Sequence, residues 1–229
     1  SIKPVNDEDW QLAYRHHLKP WRYGNLNWIP VWERESFPVE PGQRYLYLDS
    51  GMAFGTGSHE TTRLCAQALV DFMAEDGRLG SATSMIDAGC GSGILAMSAA
   101  KMGASPVFAF DRDPEAVRVT RENLKANGLE DKIEVAVCGL EDGLRDRRAP
   151  LLLANIQADV LMIYAEEISR AWDGNGMLAL SGILAGEREE VTACFADTLR
   201  RTHSGRDFDA SWQQMGEWVS VMFRQSNIR

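Results

Sequence analysis

The chain has 229 residues, 45% of them hydrophobic and 25% charged, and its 24 basic against 33 acidic side chains set a net charge of −9 and a pI near 5.0. That is enough chain for one large or two small domains with a buried core. The acidic balance argues against a sequence-independent grip on nucleic acid, which needs clustered Lys and Arg to displace counterions, and it favours a basic partner. No apolar run reaches the roughly 18 to 20 residues of a bilayer span, and the opening SIKPVNDEDW has neither the basic start nor the apolar centre of a signal peptide. The expectation is a cytoplasmic chain with no membrane contact and no direct nucleic-acid contact. Its first residue, Ser1, suggests a fragment or a processed product.

Along the chain, the first 48 residues hold four of the seven Trp (Trp10, Trp21, Trp28, Trp32) and four of the eight Pro (Pro20, Pro30, Pro38, Pro41). This reads as an irregular, aromatic-anchored lead over residues 1–48, followed by a catalytic domain over 49–229. From Ser58 to Met73 the apolar Leu64, Cys65, Ala68, Leu69 and Phe72 form the stripe of an amphipathic helix that Thr56 or Ser58 can cap. His59-Glu60 opens a zincin-like HExxH, but the second His is replaced by Arg63, and no metal site is expected. The four cysteines, Cys65, Cys90, Cys138 and Cys194, include no CxxC pair and read as reduced structural residues.

Beyond this helix the chain alternates. TSMIDAG is a buried strand stopped by glycines, Ile94 to Met102 a helix, PVFAFD a strand, and Glu115 to Asn127 a helix closed by Gly128. KIEVAV, LLLANI and GMLALSGI are further strands, with helices from Asp159 to Trp172 and Glu187 to Arg201. Apolar strands separated by helices mean parallel βαβ units. The last pair, Asp207 to Gln213 and Trp218 to Phe223, has no room for a helix between its members and reads as an antiparallel hairpin. The fold class predicted is α/β and Rossmann-like, a mostly parallel seven-stranded sheet ending in an antiparallel hairpin with helices on both faces, the plan of class I S-adenosylmethionine-dependent methyltransferases.

Asp87-Ala88-Gly89-Cys90-Gly91-Ser92-Gly93 falls where a strand turns into a helix, and each glycine lets backbone approach a ligand that a Cβ would push away. Asp111 ends the next strand, where a carboxylate can accept hydrogen bonds from two ribose hydroxyls. Gly91 to Ala96 also satisfies the dinucleotide pattern GxGxxG/A, so a nicotinamide cofactor competes with a methyl donor. Asp87 separates them: a pyrophosphate would meet a carboxylate, whereas S-adenosylmethionine brings a sulfonium and an ammonium.

Leu48 to Thr62 (LDSGMAFGTGSHETT), the Asp87 loop, Asp111-Arg112-Asp113-Pro114 and Leu153-Ala154-Asn155-Ile156 together resemble the ribosomal protein L11 methyltransferase (PrmA) family, from about Asn6 to Phe223. The resemblance implies methyl transfer from S-adenosylmethionine to lysine side chains and the α-amine of a basic, lysine-bearing ribosomal protein. It implies donor contacts from Thr62, Gly89, Asp111 and Asn155, close backbone approach at Gly91 and Gly93, and an adenine pocket lined by Leu140 and Glu141. Family members also carry a small N-terminal domain that captures the ribosomal protein, to which nothing here corresponds, and the Pro usual after the Asp of the LDxG segment is Ser50. Other acceptors fit the same donor site, namely another protein lysine or a small-molecule amine, as does a module that binds the donor without turnover.

In-line transfer asks mainly for proximity and orientation. A lysine of pKa about 10.4 must also expose its lone pair, at a cost of roughly 4 to 5 kcal/mol near pH 7, which burial beside a sulfonium reduces. Asn155, ending a strand at the carboxyl edge of the sheet, is the candidate catalytic residue that holds the neutral amine; it also reads as a helix cap. His59 and Glu60 read either as a proton relay or as first-turn residues that fix the preceding loop. The loop from Gly51 to Gly57, with Phe54 in it, reads as one that orders on cofactor binding.

Overall fold

The structure, a computed structural model, describes residues 18–49, 57–75 and 83–226. Trp10, Phe54, Thr56 and most of the Gly51 to Gly57 loop lie outside these residues. The described part of the lead is not irregular. β1 (Trp21–Tyr23), β2 (Leu26–Pro30) and β3 (Arg44–Leu48) form a small sheet, with β1 antiparallel and β3 parallel to β2. Its aromatic residues fold it: Trp21 stacks on Trp28 at 3.8 Å between ring centroids, and the buried indole N–H of Trp28 donates to Ser98 Oγ at 2.9 Å. Leu26, Trp28, Leu46 and Leu48 belong to the same apolar core as the helices that follow, so this sheet is built onto the main body.

The main body contains α1 (Glu60–Ala74), β4 (Met85–Ala88), α2 (Ile94–Met102), β5 (Val107–Asp111), α3 (Pro114–Asn127), β6 (Ile133–Val137), α4 (Leu140–Leu144) and β7 (Ala149–Asn155). There follow α5 (Ala158–Ile163), α6 (Ala165–Ala171), β8 (Trp172–Leu184), α7 (Arg188–Thr202), β9 (Phe208–Met215) and β10 (Trp218–Gln225). The strands lie in the order β6-β5-β4-β7-β8-β10-β9; β4 to β8 run parallel, and β10 is antiparallel to both β8 and β9. The predicted mostly parallel sheet with a terminal hairpin is therefore present. Central strands β4 and β7 are buried on both faces, as their continuous apolar sequence requires. One apolar layer joins α1 and α2 to the sheet, and a second joins α5, α6 and α7 to the opposite face.

Local chemistry sets the helix ends. Asp113 accepts from Glu115 N at 2.9 Å ahead of Pro114, and α3 stops at Gly128 in the left-handed region. The cap of helix α1 is His59, one residue beyond the predicted Ser58, and its Nδ1 accepts from Thr61 N at 3.3 Å. The single helix predicted from Asp159 to Trp172 is two short ones that turn at Tyr164, which lets Ala158 and Leu161, then Ala165 and Ile168, bury against one sheet face. Trp172 already belongs to β8: it is fully buried and donates from Nε1 to Pro150 O at 2.9 Å. The chain winds outward from β4 through β5 to β6, then returns to β7 and winds the other way. The carboxyl ends of β4 and β7 thus flank the switch point at which open α/β sheets bind ligands.

Candidate functional site

At that switch point the glycine loop leaves β4 with Gly89 at φ 76°, its N–H and that of Cys90 both donating to Phe110 O at 2.9 and 3.0 Å. A Cβ at Gly89 would come within 2.6 Å of the Ile156 side chain, so this left-handed turn beside the cavity has room only for a glycine. A cavity of about 470 Å³ opens here, the size of a small-molecule site. Gly89 and Gly91 form one wall, Phe110 and Asp111 the next, and Cys138 to Leu140 the far end. Opposite lie Asn155 to Gln157, with Tyr164, His59, Thr61 and Trp218 around them.

Asp111 is held with both oxygens engaged, Oδ2 accepting from Gly91 N and Oδ1 from Asp113 N, each at 3.0 Å. Each carboxylate oxygen keeps a second lone pair, so the group remains able to accept from vicinal hydroxyls. Asn155 donates from Nδ2 to Thr62 Oγ1 at 3.4 Å, while its Oδ1 is buried with no hydrogen-bond partner. A buried acceptor without a donor is costly, about 1 to 3 kcal/mol, and a ligand N–H would relieve it. Its alternative reading as a cap does not hold, because α5 is preceded by Gln157 and has no side-chain cap bond.

Some residues named from the sequence lie off the cavity wall. Thr62 is fully buried behind Asn155, and it is Thr61 that faces the cavity. Gly93, at φ 78°, is a glycine because a Cβ would meet the Thr120 side chain at 2.8 Å; it serves packing of α2 on α3 rather than ligand approach. Glu141 is exposed, and of this pair only Leu140 lines the cavity. Asp87 is wholly buried under the loop, where Oδ2 accepts from Ala96 N at 2.9 Å in the first turn of α2. It fills the helix N-terminus that a pyrophosphate would use, and does so from beneath, not by facing the ligand. His59 fixes the first turn of α1 and packs edge-on against Trp218 at 5.1 Å, in line with the structural reading of the pair His59-Glu60. Trp218, Tyr164 and Gln157 carried no sequence signal, since a hairpin strand and a helix start reach this cavity only after folding.

Strand order, glycine loop, the carboxylate ending β5 and the polar acceptor ending β7 define a class I S-adenosylmethionine-dependent methyltransferase. A family model described as Ribosomal protein L11 methyltransferase (PrmA) matches residues 1–226. A ribosomal protein L11 methyltransferase of Pelobacter propionicus is 42% identical over 98% of this chain and 69% of its own length, and one of Xylella fastidiosa is 41% identical over 85% and 63%. A crystal structure of a ribosomal protein L11 methylase from Lactobacillus delbrueckii subsp. bulgaricus aligns with a TM-score of 0.75 at 27% identity, covering 90% of this chain and 97% of that one. The chain belongs to the ribosomal protein L11 methyltransferase (PrmA) family, and it spans 63 to 69% of the length of the curated relatives it matches. Family and fold imply S-adenosylmethionine as cofactor. The residues fit it: a carboxylate whose oxygens can still accept from hydroxyls, glycines along one wall, and a buried acceptor, Asn155 Oδ1, without a hydrogen-bond donor.

Proposed function

We propose that the chain is the catalytic unit of an N-methyltransferase that moves methyl groups from S-adenosylmethionine to lysine side chains and the α-amine of a ribosomal protein, in the cytoplasm. The observation that carries this reading is the buried, unpartnered Oδ1 of Asn155 at the rim of the donor cavity. The donor supplies an electrophilic methyl; everything else falls to the chain. Asp111 binds the ribose, Gly89 and Gly91 admit the donor to the loop, and Leu140 covers the adenine. Asn155 Oδ1 would accept a hydrogen bond from the incoming amine and so hold its lone pair toward the methyl that the bound donor supplies. No covalent intermediate forms. A neutral amine is favoured because an ammonium entering this cavity meets the sulfonium at close range, which lowers its pKa. The negative surface, with a net charge of −9, suits a basic acceptor.

The test is to incubate the chain and isotopically labelled donor with lysate from cells lacking the enzyme, alongside calorimetric titration with S-adenosylmethionine and NAD. A labelled ribosomal protein with donor binding and no NAD binding is the expected result. Binding of NAD alone overturns the cofactor assignment, and label on some other protein overturns the substrate.

A further inference from the structure

The seven-stranded sheet ends differently on its two sides. On one side β6 is five residues long, and the Arg121 guanidinium reaches from α3 to donate to Val135 O at 3.2 Å, so a backbone acceptor there is already taken. On the other, β9 is eight residues long, FDASWQQM, with one charge, Asp209, and no Pro, Gly or Lys to keep another strand away. Among the described residues no strand lies beyond it. Two backbone bonds settle which way its polar groups point. Ser226 N donates to Asp207 O at 2.8 Å, and one strand further in Ala185 N donates to Glu217 O at 2.8 Å, so β10 turns its odd residues to β8 and its even ones to β9. The register with β10 then leaves the N–H and C=O groups of Phe208, Ala210, Trp212 and Gln214 on the open edge. Trp212 stands among them half exposed, with the Arg188 guanidinium of α7 over its ring at 4.4 Å.

We propose that β9 is an interface between two copies of this chain, paired antiparallel edge to edge about a two-fold axis through Ser211. The strand fits itself in that register. Phe208 lies against Gln214 of the second copy and Ala210 against its Trp212, so all the outward residues bond across the axis; moving the axis to Ala210 or to Trp212 leaves Gln214 or Phe208 outside the ladder. Each Trp212 ring comes over the small Ala210 of the other copy and diagonal to the other Trp212, within reach of an aromatic contact. On the opposite face the one charge of the strand, Asp209, meets Gln213 and not a second carboxylate. Because the two strands run antiparallel, the sheets join into one with the donor cavities opening at opposite ends, and neither copy covers the other's site.

Analytical ultracentrifugation of the intact chain over a concentration series should show a monomer–dimer equilibrium. Ala210→Pro removes an outward N–H and no bond to β10, and Trp212→Lys puts a charge at the middle of the edge. Each should weaken the dimer at least about tenfold, with the far-UV circular dichroism spectrum and S-adenosylmethionine affinity of the parent retained. If the proline disturbs the hairpin, the lysine variant still reads the edge. Cysteines read the register, because Ser211 meets Ser211 of the second copy as a non-hydrogen-bonded pair with roughly 4.5 Å between Cα atoms, inside the range a disulfide spans. With oxidised glutathione as oxidant, Ser211→Cys should cross-link to a dimer that neither the parent nor Gln213→Cys, whose position faces Asp209, forms. A parent chain that stays monomeric overturns the proposal. So does a dimer that neither edge variant weakens, or one in which Gln213→Cys links as fast as Ser211→Cys. A monomer whose binding to the isolated ribosomal protein is lost in Trp212→Lys gives the edge to the substrate and equally overturns pairing between copies.

Discussion

Asp87 is a carboxylate placed where water cannot reach it. Burial pushes its pKa up to about 7, the hydrogen bond from Ala96 N opposes that rise, and the nearby Asp111 charge adds to it. The folded state therefore holds a proton that the unfolded chain has already released near pH 4, and stability attributable to this group is lost as pH rises from about 4 to about 7. Asp87→Asn keeps an oxygen for Ala96 N and removes the titration. The fall in thermal midpoint between pH 5 and pH 8 should be smaller in the variant than in the parent chain, measured by circular dichroism; equal slopes would place the titration elsewhere. Asp111→Ala is a different case, because that carboxylate lines the cavity and shapes Gly91 as well. We expect donor affinity by calorimetry to drop at least about tenfold, the cost of losing charge-assisted hydrogen bonds to two hydroxyls. Unchanged affinity would mean that the ribose lies elsewhere.

The glycine loop and α2 act as one piece because Gly93 lets the loop pass against Thr120 of α3. Gly93→Ala forces a Cβ to 2.8 Å from that side chain and strains a left-handed residue, so a loss of about 1 to 3 kcal/mol in urea unfolding is expected. Donor affinity should fall with it, since Thr120 Oγ1 also donates to Gly91 O at 2.7 Å. Trp28 plays the corresponding part in the small sheet, where an apolar ring fills the core and its N–H is matched by Ser98. Trp28→Phe should cost about 1 to 3 kcal/mol by the same measurement, through a smaller ring and a buried hydroxyl left with one fewer partner. The strand and helix pattern from Met85 onward was legible because apolar periods of 2 and 3.6 are local properties. The turn at Tyr164 was not, because nothing in the sequence around Tyr164 interrupts the helical period; the break answers to the sheet beneath it.

The three-stranded lead and the seven-stranded sheet share one apolar cluster, in which Leu26, Trp28, Leu46 and Leu48 contact the layer of α1 and α2. Side-chain amides of α3 complete the join: Asn123 accepts from Asp49 N at 2.9 Å, and Asn127 both accepts from Tyr47 N at 2.9 Å and donates to Tyr47 O at 2.7 Å. We propose that the boundary between residues 48 and 49 separates two sequence styles but not two folding units. A chain beginning at residue 49 should show no cooperative urea transition, because it exposes the faces of α1 and α2 that the lead covers; a sharp transition in that truncation would establish an independent catalytic domain. The join also reaches the start of α1: Gly57, just ahead of it, lies where a Cβ would meet Trp21 Nε1 at 2.8 Å, and Arg63 reaches from α1 to Gly57 O at 3.1 Å.

The opening numbers, 229 residues and a net charge of −9, fixed little beyond an acidic globular chain. Its motifs went further: strand, glycine turn, helix and the acidic end of the next strand lie within 25 residues, from Asp87 to Asp111, so their meeting depends mainly on local geometry. Folding over longer distances made the remaining distinctions. Thr62 and Asn155 are 93 residues apart, and Trp218 joins the cavity from the last strand, so which Thr lines the cavity and which side chain backs Asn155 follow from how β7, β8 and α1 pack. Asp87 reads in the sequence as a charge beside a ligand; in the fold it is a buried acid under a helix, because burial is a property of what surrounds a residue and not of the residue.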